Sequence, residues 1–221
     1  MVDKSAKYIP ALRYDWLTSL YDPILKLTLR EAEFKNHLVK TASLQPGQRV
    51  LDLGCGTATL TLLIKQAQAN AEVVGIDGDE KILAIARLKA KQTGIDINLD
   101  YGFVHDLPYA ESSFDHVFSS LLFHHLSREN KLRTLNEVFR ILRPGGQFHL
   151  ADWGKAVNPA MRTLFFLVQI LDGFSTTSDN VNGLLPSFLE QSGMEEVIMV
   201  RQYLTIFGTL CLYAGRKPQQ R

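Results

Sequence analysis

One segment constrains this 221-residue chain more than any other: Val50-Leu51-Asp52-Leu53-Gly54-Cys55-Gly56-Thr57-Ala58. A short apolar run carries an acidic residue, passes into glycines and opens a helical pattern. Glycine takes positive φ without a steric penalty and lets the backbone approach a ligand closely. The helix that follows starts with unpaired N–H groups and the positive end of its dipole. This is a strand–turn–helix unit at the carboxyl edge of a parallel sheet, where open α/β proteins bind their ligands.

The rest of the chain repeats the alternation. The spacing predicts strands over 49–53, 72–77, 97–101, 114–119 and 147–152. Helices are expected over 58–69, from an Asp79 N-cap to about residue 92, and from a Ser127 cap to 142, where Arg143-Pro144-Gly145-Gly146 stops the chain. A helix over 184–192, closed by Gly193, precedes two strand-like runs, 197–203 and 205–214. Runs that close together pair antiparallel. The expected fold is therefore α/β: a doubly wound, seven-stranded, mostly parallel sheet with an antiparallel C-terminal hairpin strand at its edge, and helices on both faces. Residues 1–45 read as an N-terminal helical cap and 46–215 as a Rossmann-like domain. Within that domain 154–183 reads as an insertion or lid, and 216–221 as a short basic tail.

Composition narrows the function. A formal net charge of +1 leaves no broad electrostatic footprint for nucleic acid. The two cysteines, Cys55 and Cys211, form no metal or redox spacing. The longest apolar stretch, 164–171, contains Gln169 and falls far short of the roughly 20 residues that span a bilayer. It also lacks the Lys/Arg-rich face of an interfacial helix, so membrane contact is disfavoured. Tyr8-Ile9-Pro10 and Arg13-Tyr14-Asp15 interrupt any leader-like run, and a cytoplasmic location is the expectation.

Three acidic positions define the ligand. After Gly54 and Gly56, the third position of a dinucleotide fingerprint holds Thr59, and Asp52 precedes the glycines where a pyrophosphate would sit. A carboxylate there repels phosphate and suits an ammonium or sulfonium. Asp77, at the end of the second strand, has the position of a residue that accepts from ribose hydroxyls. Asp106, in Asp106-Leu107-Pro108, can accept from an adenine amino group while Leu107 covers the ring. A phosphate-free nucleoside with a positive group is S-adenosylmethionine.

Asp52-Leu53-Gly54-Cys55-Gly56-Thr57, Gly75-Ile76-Asp77, Asp106-Leu107-Pro108 with Ser113-Phe114-Asp115, and Leu142-Arg143-Pro144-Gly145-Gly146 resemble the successive motifs of class I S-adenosylmethionine-dependent methyltransferases. The resemblance covers residues 44–152 and is strongest to the small-molecule branch that includes ubiquinone and menaquinone C-methyltransferases. Ala58 departs from it, standing where many relatives have a third glycine. The resemblance implies that Asp52, Gly54 and Gly56 cradle the methionine part, and that Asp77, flanked by Gly78 and Asp79, holds the ribose. It assigns adenine to Asp106 and Leu107, and it implies an N-terminal aromatic, Tyr14 or Tyr21, closing over the cofactor. Cys55, in the glycine turn, and Ser120, just after the fourth strand, complete the cofactor set.

The acceptor side is read from His124 and His125, which follow the fourth strand and are candidates to take a proton. Trp153, Phe165, Phe166 and Gln169 are candidates to line the acceptor site with His124. Plainer readings stand beside these. Asp52 can cap a helix, Asp106 can start a turn, Cys55 can be a small buried residue, Trp16 a core aromatic, and 164–171 a buried helix. The functional expectation is methyl transfer to a small organic acceptor without a metal, and the sequence leaves the oligomeric state open. The alternatives are a non-catalytic cofactor-binding subunit or sensor, and a nicotinamide-dependent oxidoreductase. Methylation of DNA amino groups is disfavoured, because Ser119-Ser120-Leu121-Leu122-Phe123-His124 replaces the Asn/Asp-Pro-Pro-aromatic run that chemistry uses after the fourth strand.

Overall fold

The computed structural model describes residues 31–219. Helix α1 (Glu31–Thr41) precedes β1 (Arg49–Leu53), α2 (Thr59–Ala67), β2 (Glu72–Asp77), α3 (Glu80–Thr93) and β3 (Asn98–Tyr101). Then come β4 (Phe114–Ser120), a 3-10 turn at Phe123–His125, α4 (Arg128–Ile141), β5 (Leu142–Trp153), α5 (Pro159–Asp172), α6 (Phe174–Val181), α7 (Leu185–Gln191), β6 (Glu195–Thr205) and β7 (Gly208–Arg216).

The seven strands form one sheet in the order β3-β2-β1-β4-β5-β7-β6. Strands β1 to β5 run parallel, and β7 is antiparallel to both β5 and β6. The expected hairpin is present, but its second strand lies inside the sheet and its first forms the edge. The order reverses between β1 and β4, so a crevice opens where their carboxyl ends diverge. Register aligns those ends: Leu53 sits beside Ile76 and Ser119, Asp77 beside Tyr101, and Ser120 beside Ala151.

Alternation along β1 divides the core in two. Leu51 and Leu53 pack on one face with Phe114, Phe148, Leu135, Val138 and Leu185, under α4 and α7. Val50 packs on the other with Phe118, Phe34, Leu38, Leu60 and Ile64, under α1 and α2. The period of two in a strand sends successive side chains to opposite faces, and both faces here are buried, as a doubly wound sheet requires.

Local chemistry sets the helix ends. Asp79 accepts from the N–H groups of Lys81 and Ile82 to start α3, and Gly94, in the left-handed conformation, ends it. Ser127 accepts from Asn130 to start α4. Asn158 caps α5, with Pro159 in its first turn. Several boundaries differ from expectation: the last two strands span 195–205 and 208–216 rather than 197–203 and 205–214. Helix α2 begins at Thr59, because Ala58 takes left-handed φ of 59° and belongs to the turn. Strand β5 begins at Leu142, because Leu142 pairs with Phe114 ahead of a register shift, so Arg143 to Gly146 are absorbed into the strand's irregular start.

Candidate active site

The turn after β1 is held from both neighbouring strands. Gly54 and Cys55 donate their N–H groups to the Ile76 carbonyl at 2.9 and 3.0 Å. Gly56 donates to Oδ2 of Asp77 at 2.8 Å, and Oδ1 of Asp77 accepts from Asp79 at 3.0 Å. Gly54 takes φ of 70°, which favours glycine, and the Leu122 side chain stands 2.9 Å from where a Cβ would be. The turn therefore lies directly against the segment that follows β4.

Asp52 is 1% exposed and accepts from the Thr61 hydroxyl at 2.6 Å, a bond that reaches from β1 into the first turn of α2. Burial pushes the Asp52 carboxyl up to about 6, against the lowering effects of Thr61 and of Lys35 on α1. Burial also raises Asp77, opposed by the backbone donors of Gly56 and Asp79. Two partly desolvated carboxylates thus flank one glycine turn, and Ala58, the residue before α2, provides no side-chain cap to its N-terminus. Such a cleft favours a ligand that is cationic and offers hydroxyl donors. Cys55 is buried between the same two acids; burial, then their charges, push its thiol up, so it is no nucleophile.

The expected adenine residues lie differently from one another. Asp106 is exposed on the loop after β3, its N–H donating to the Phe103 carbonyl. Leu107 is buried in the core beside α4, where its N–H donates to Glu137 at 2.8 Å. Sequence reasoning missed Phe103, whose half-exposed ring lies against Gly78, 3.4 Å from where a Cβ would stand. It forms an aromatic run with Tyr101 and His105 at the carboxyl end of β3. The signal available was the exposed aromatic itself, one turn beyond a strand that ends next to Asp77. Asp79 spends its Oδ1 on capping α3. Ser120 ends β4, followed by Leu121 at φ 55°, a strained conformation of the kind that collects at functional sites. Tyr14, Tyr21 and Trp16 lie outside the described residues.

On the other side of the crevice, His124 is buried and its Nδ1 meets Oδ1 of Asp152 at 2.8 Å. Asp152, fully buried near the end of β5, also accepts from Phe123 N and Trp153 N at 2.7 Å each, and from the Asn180 amide at 3.1 Å. Burial works to lower the His124 pKa, but the charge and hydrogen bond of Asp152 together with the charge of Asp172 outweigh it, and the net shift is upward. Its neighbour His125, 3.9 Å away between ring centroids, is pushed far down by burial and then by His124. Asp172 on α5 stands 3.8 Å from His124 Nε2. Behind them, fully buried Lys131 contacts Asp179 and the Thr176 carbonyl, and Asp179 also pairs with Arg128. Asp152 and Asp172 escaped sequence reasoning, although Asp152 carries the signal that picked out Asp52 and Asp77, an acid near the carboxyl end of a parallel strand.

The expected acceptor-lining residues separate. Trp153 is buried, edge-on to His124 at 6.4 Å and to Phe165 at 5.4 Å. Phe165 packs so tightly on Gly208 that a Cβ there would approach it to 2.8 Å. Phe166, the next residue on the helix, points the other way, is 48% exposed and meets Phe174 edge-on. About 100° separates neighbours on a helix, so Phe165 and Phe166 do not line one cavity together here. Gln169 is buried and donates to Thr177, with its Oε1 unpaired.

Known proteins resemble this chain in sequence and in fold. A family model described as a methyltransferase domain matches residues 50–146. An uncharacterized methyltransferase of Synechocystis sp. is 30% identical over 205 residues, covering 92% of each chain. The demethylmenaquinone methyltransferase of Thermus thermophilus is 28% identical over 222 residues, 94% of this chain and 98% of that one. Among solved structures, Haemonchus contortus phosphoethanolamine N-methyltransferase 2, in complex with S-adenosyl-L-methionine, has the same fold. It superposes with a TM-score of 0.67 at 15% identity, covering 85% of this chain and 53% of that one.

Proposed function

The chain belongs to the methyltransferase family, and from that premise we propose that it moves the methyl group of S-adenosylmethionine to a small organic acceptor in the crevice between β1 and β4. The observation that carries the reading is the pair Asp52 and Asp77, poised on either side of a glycine turn that is itself bonded to Asp77. Asp52 suits the charged methionine part, and Asp77 suits the ribose. Phe103, lying against Gly78, offers a face for adenine.

When bound, the cofactor supplies an electrophilic methyl on a sulfonium that leaves readily. The chain then has to align the acceptor in line with that bond and exclude water. His124, held in place by Asp152, is the polar group presented to the acceptor from the β4 side, with His125 beside it. Residues 154–183 place α5 and α6 over this side, and Trp153 forms an apolar wall. No helix among the described residues is long and apolar enough to cross a membrane.

The reading is tested by titrating S-adenosylmethionine and S-adenosylhomocysteine into the purified chain by calorimetry. Micromolar binding of both supports it, and binding of neither removes it. A nicotinamide cofactor in the same assay is expected to give no heat.

A further inference from the structure

Three carboxylates lie beneath the carboxyl ends of β4 and β5, and among the described residues only two accept hydrogen bonds. Asp152 has its four donors, and Asp179 has Arg128 and Lys131. Asp172 has neither. Its side chain is 8% exposed, yet among the described residues it accepts no hydrogen bond; its one ion-pair contact is His124 Nε2 at 3.8 Å, and the charge of Asp152 acts against it. It is also the last residue of α5, where the helix dipole adds further negative potential. An enclosed carboxylate without donors is costly unless it takes up a proton or a cation joins it.

Donors of the right kind converge there. One ring nitrogen each of His124 and His125 and one oxygen of Asp172 all lie within 4.8 Å of one another. No hydrogen bond to a described residue occupies the His125 ring. His124 is oriented from behind: its Nδ1 meets Asp152 and its Nε2 faces Asp172, the carboxylate–histidine arrangement that supports metal ligands when a metal takes the place of the Nε2 proton. Ligand atoms around a first-row metal stand about 3–3.5 Å apart, given bonds of roughly 2.0–2.2 Å. The cluster reaches that spacing by side-chain movements of about 1 Å.

We propose that His124, His125 and Asp172 form a binding site for a divalent first-row transition metal ion, with two imidazole nitrogens and one carboxylate oxygen as ligands. This donor set suits zinc, cobalt, manganese or iron, and it leaves coordination positions open toward the crevice. The inference rests on the reading of this crevice as the acceptor site and narrows it: the acceptor carries a hydroxyl or enol oxygen able to ligate the ion. With the ion bound, His124 acts on the acceptor through the metal. This departs from the sequence expectation of a metal-free site, which counted Asp172 nowhere, because α5 brings it to the histidines only in the folded chain.

The test is titration of the chelator-treated protein with Co²⁺, followed by visible absorption, and with Zn²⁺ in competition. One equivalent of Co²⁺ is expected to bind, with ligand-field bands that Zn²⁺ abolishes. Asp172→Asn and His125→Gln are each expected to weaken Co²⁺ binding at least tenfold. Absence of stoichiometric Co²⁺ binding, or binding undiminished in both variants, overturns the proposal. S-adenosylhomocysteine binding, measured on the same samples, is expected to be unchanged in both variants, which shows that they are folded. If the native chain binds Co²⁺ but not S-adenosylhomocysteine, the cofactor reading fails while the metal site stands.

Discussion

The backbone N–H of Gly56 donates to the Asp77 carboxylate across 2.8 Å, joining the turn after β1 to the end of β2. The two residues are far apart in sequence, but parallel pairing of β1 with β2 brings them together. The bond presets the glycine turn before any ligand arrives, and a preset site does not have to be ordered on binding.

Asp77→Ala removes the acceptor for both Gly56 and Asp79. Each donor left unpaired costs about 1–3 kcal/mol. S-adenosylhomocysteine affinity is therefore expected to fall at least about tenfold, since 1.4 kcal/mol corresponds to that factor. Calorimetry on the variant checks this, and unchanged affinity would remove Asp77 from the site.

Asp52 gives cofactor binding a pH dependence. Its carboxyl is raised to about 6, so below that pH a proton competes with the cationic ligand for the same oxygens. S-adenosylmethionine affinity should hold from pH 8 to about 6 and then fall, approaching tenfold per pH unit at the limit. Asp52→Asn should flatten that profile. A native profile that stays flat from pH 7 to 5 would speak against contact between Asp52 and the charged group.

His124→Ala is expected to lower turnover by about 10²-fold or more, the usual contribution of a positioned acid–base or polarising group. Affinity for S-adenosylhomocysteine should change little, because the cofactor residues lie on β1 and β2. An unchanged turnover with any accepted substrate would take His124 out of the chemistry.

Asp152→Ala strands two backbone N–H groups, the Asn180 amide and His124 in the interior. Breaking a buried charged pair of this kind costs about 3–5 kcal/mol, which in a chain this size lowers the melting temperature by on the order of 10 °C. Differential scanning calorimetry measures it. A drop of only a degree or two would mean that the network adds little to stability.

Acid sensitivity is expected from a second histidine pair on the opposite side of the sheet. Burial pushes His149 down to about 3 and lowers its partner His116, 3.2 Å away and stacked against it. His149 is neutral when folded and titrates near 6.5 when unfolded. The unfolded chain therefore takes up a proton there first, and stability falls as pH drops from about 6.5 toward 3, by up to about 1.4 kcal/mol per pH unit, with the lowered His116 adding in the same direction. Melting temperatures from pH 7 to 4 test this, and His149→Gln should shallow the slope.

Much of this was legible in the residues. The alternation of strands and helices, the Asp79 and Ser127 caps, the glycine turn and the acids Asp52 and Asp77 are local signals, written in period, spacing and residue type. They were enough to reach the sheet and the cofactor. Asp106 and Leu107 show the limit: they are neighbours in sequence, but one faces solvent and the other α4, and Phe103 takes the place against Gly78.

Sequence by itself determined the class of fold and the chemistry of the turn, because both depend on contacts within a strand, a helix end or one βα unit. Tertiary structure decided the acceptor side. It set β7 between β5 and β6, split Phe165 from Phe166 onto different sides of α5, and carried Asp152 and Asp172 to His124 across 28 and 48 residues of chain. Contacts so distant leave no periodic trace. They arise only when the sheet and helices pack, and the unsatisfied carboxylate of Asp172 is visible only after every donor around it has been placed.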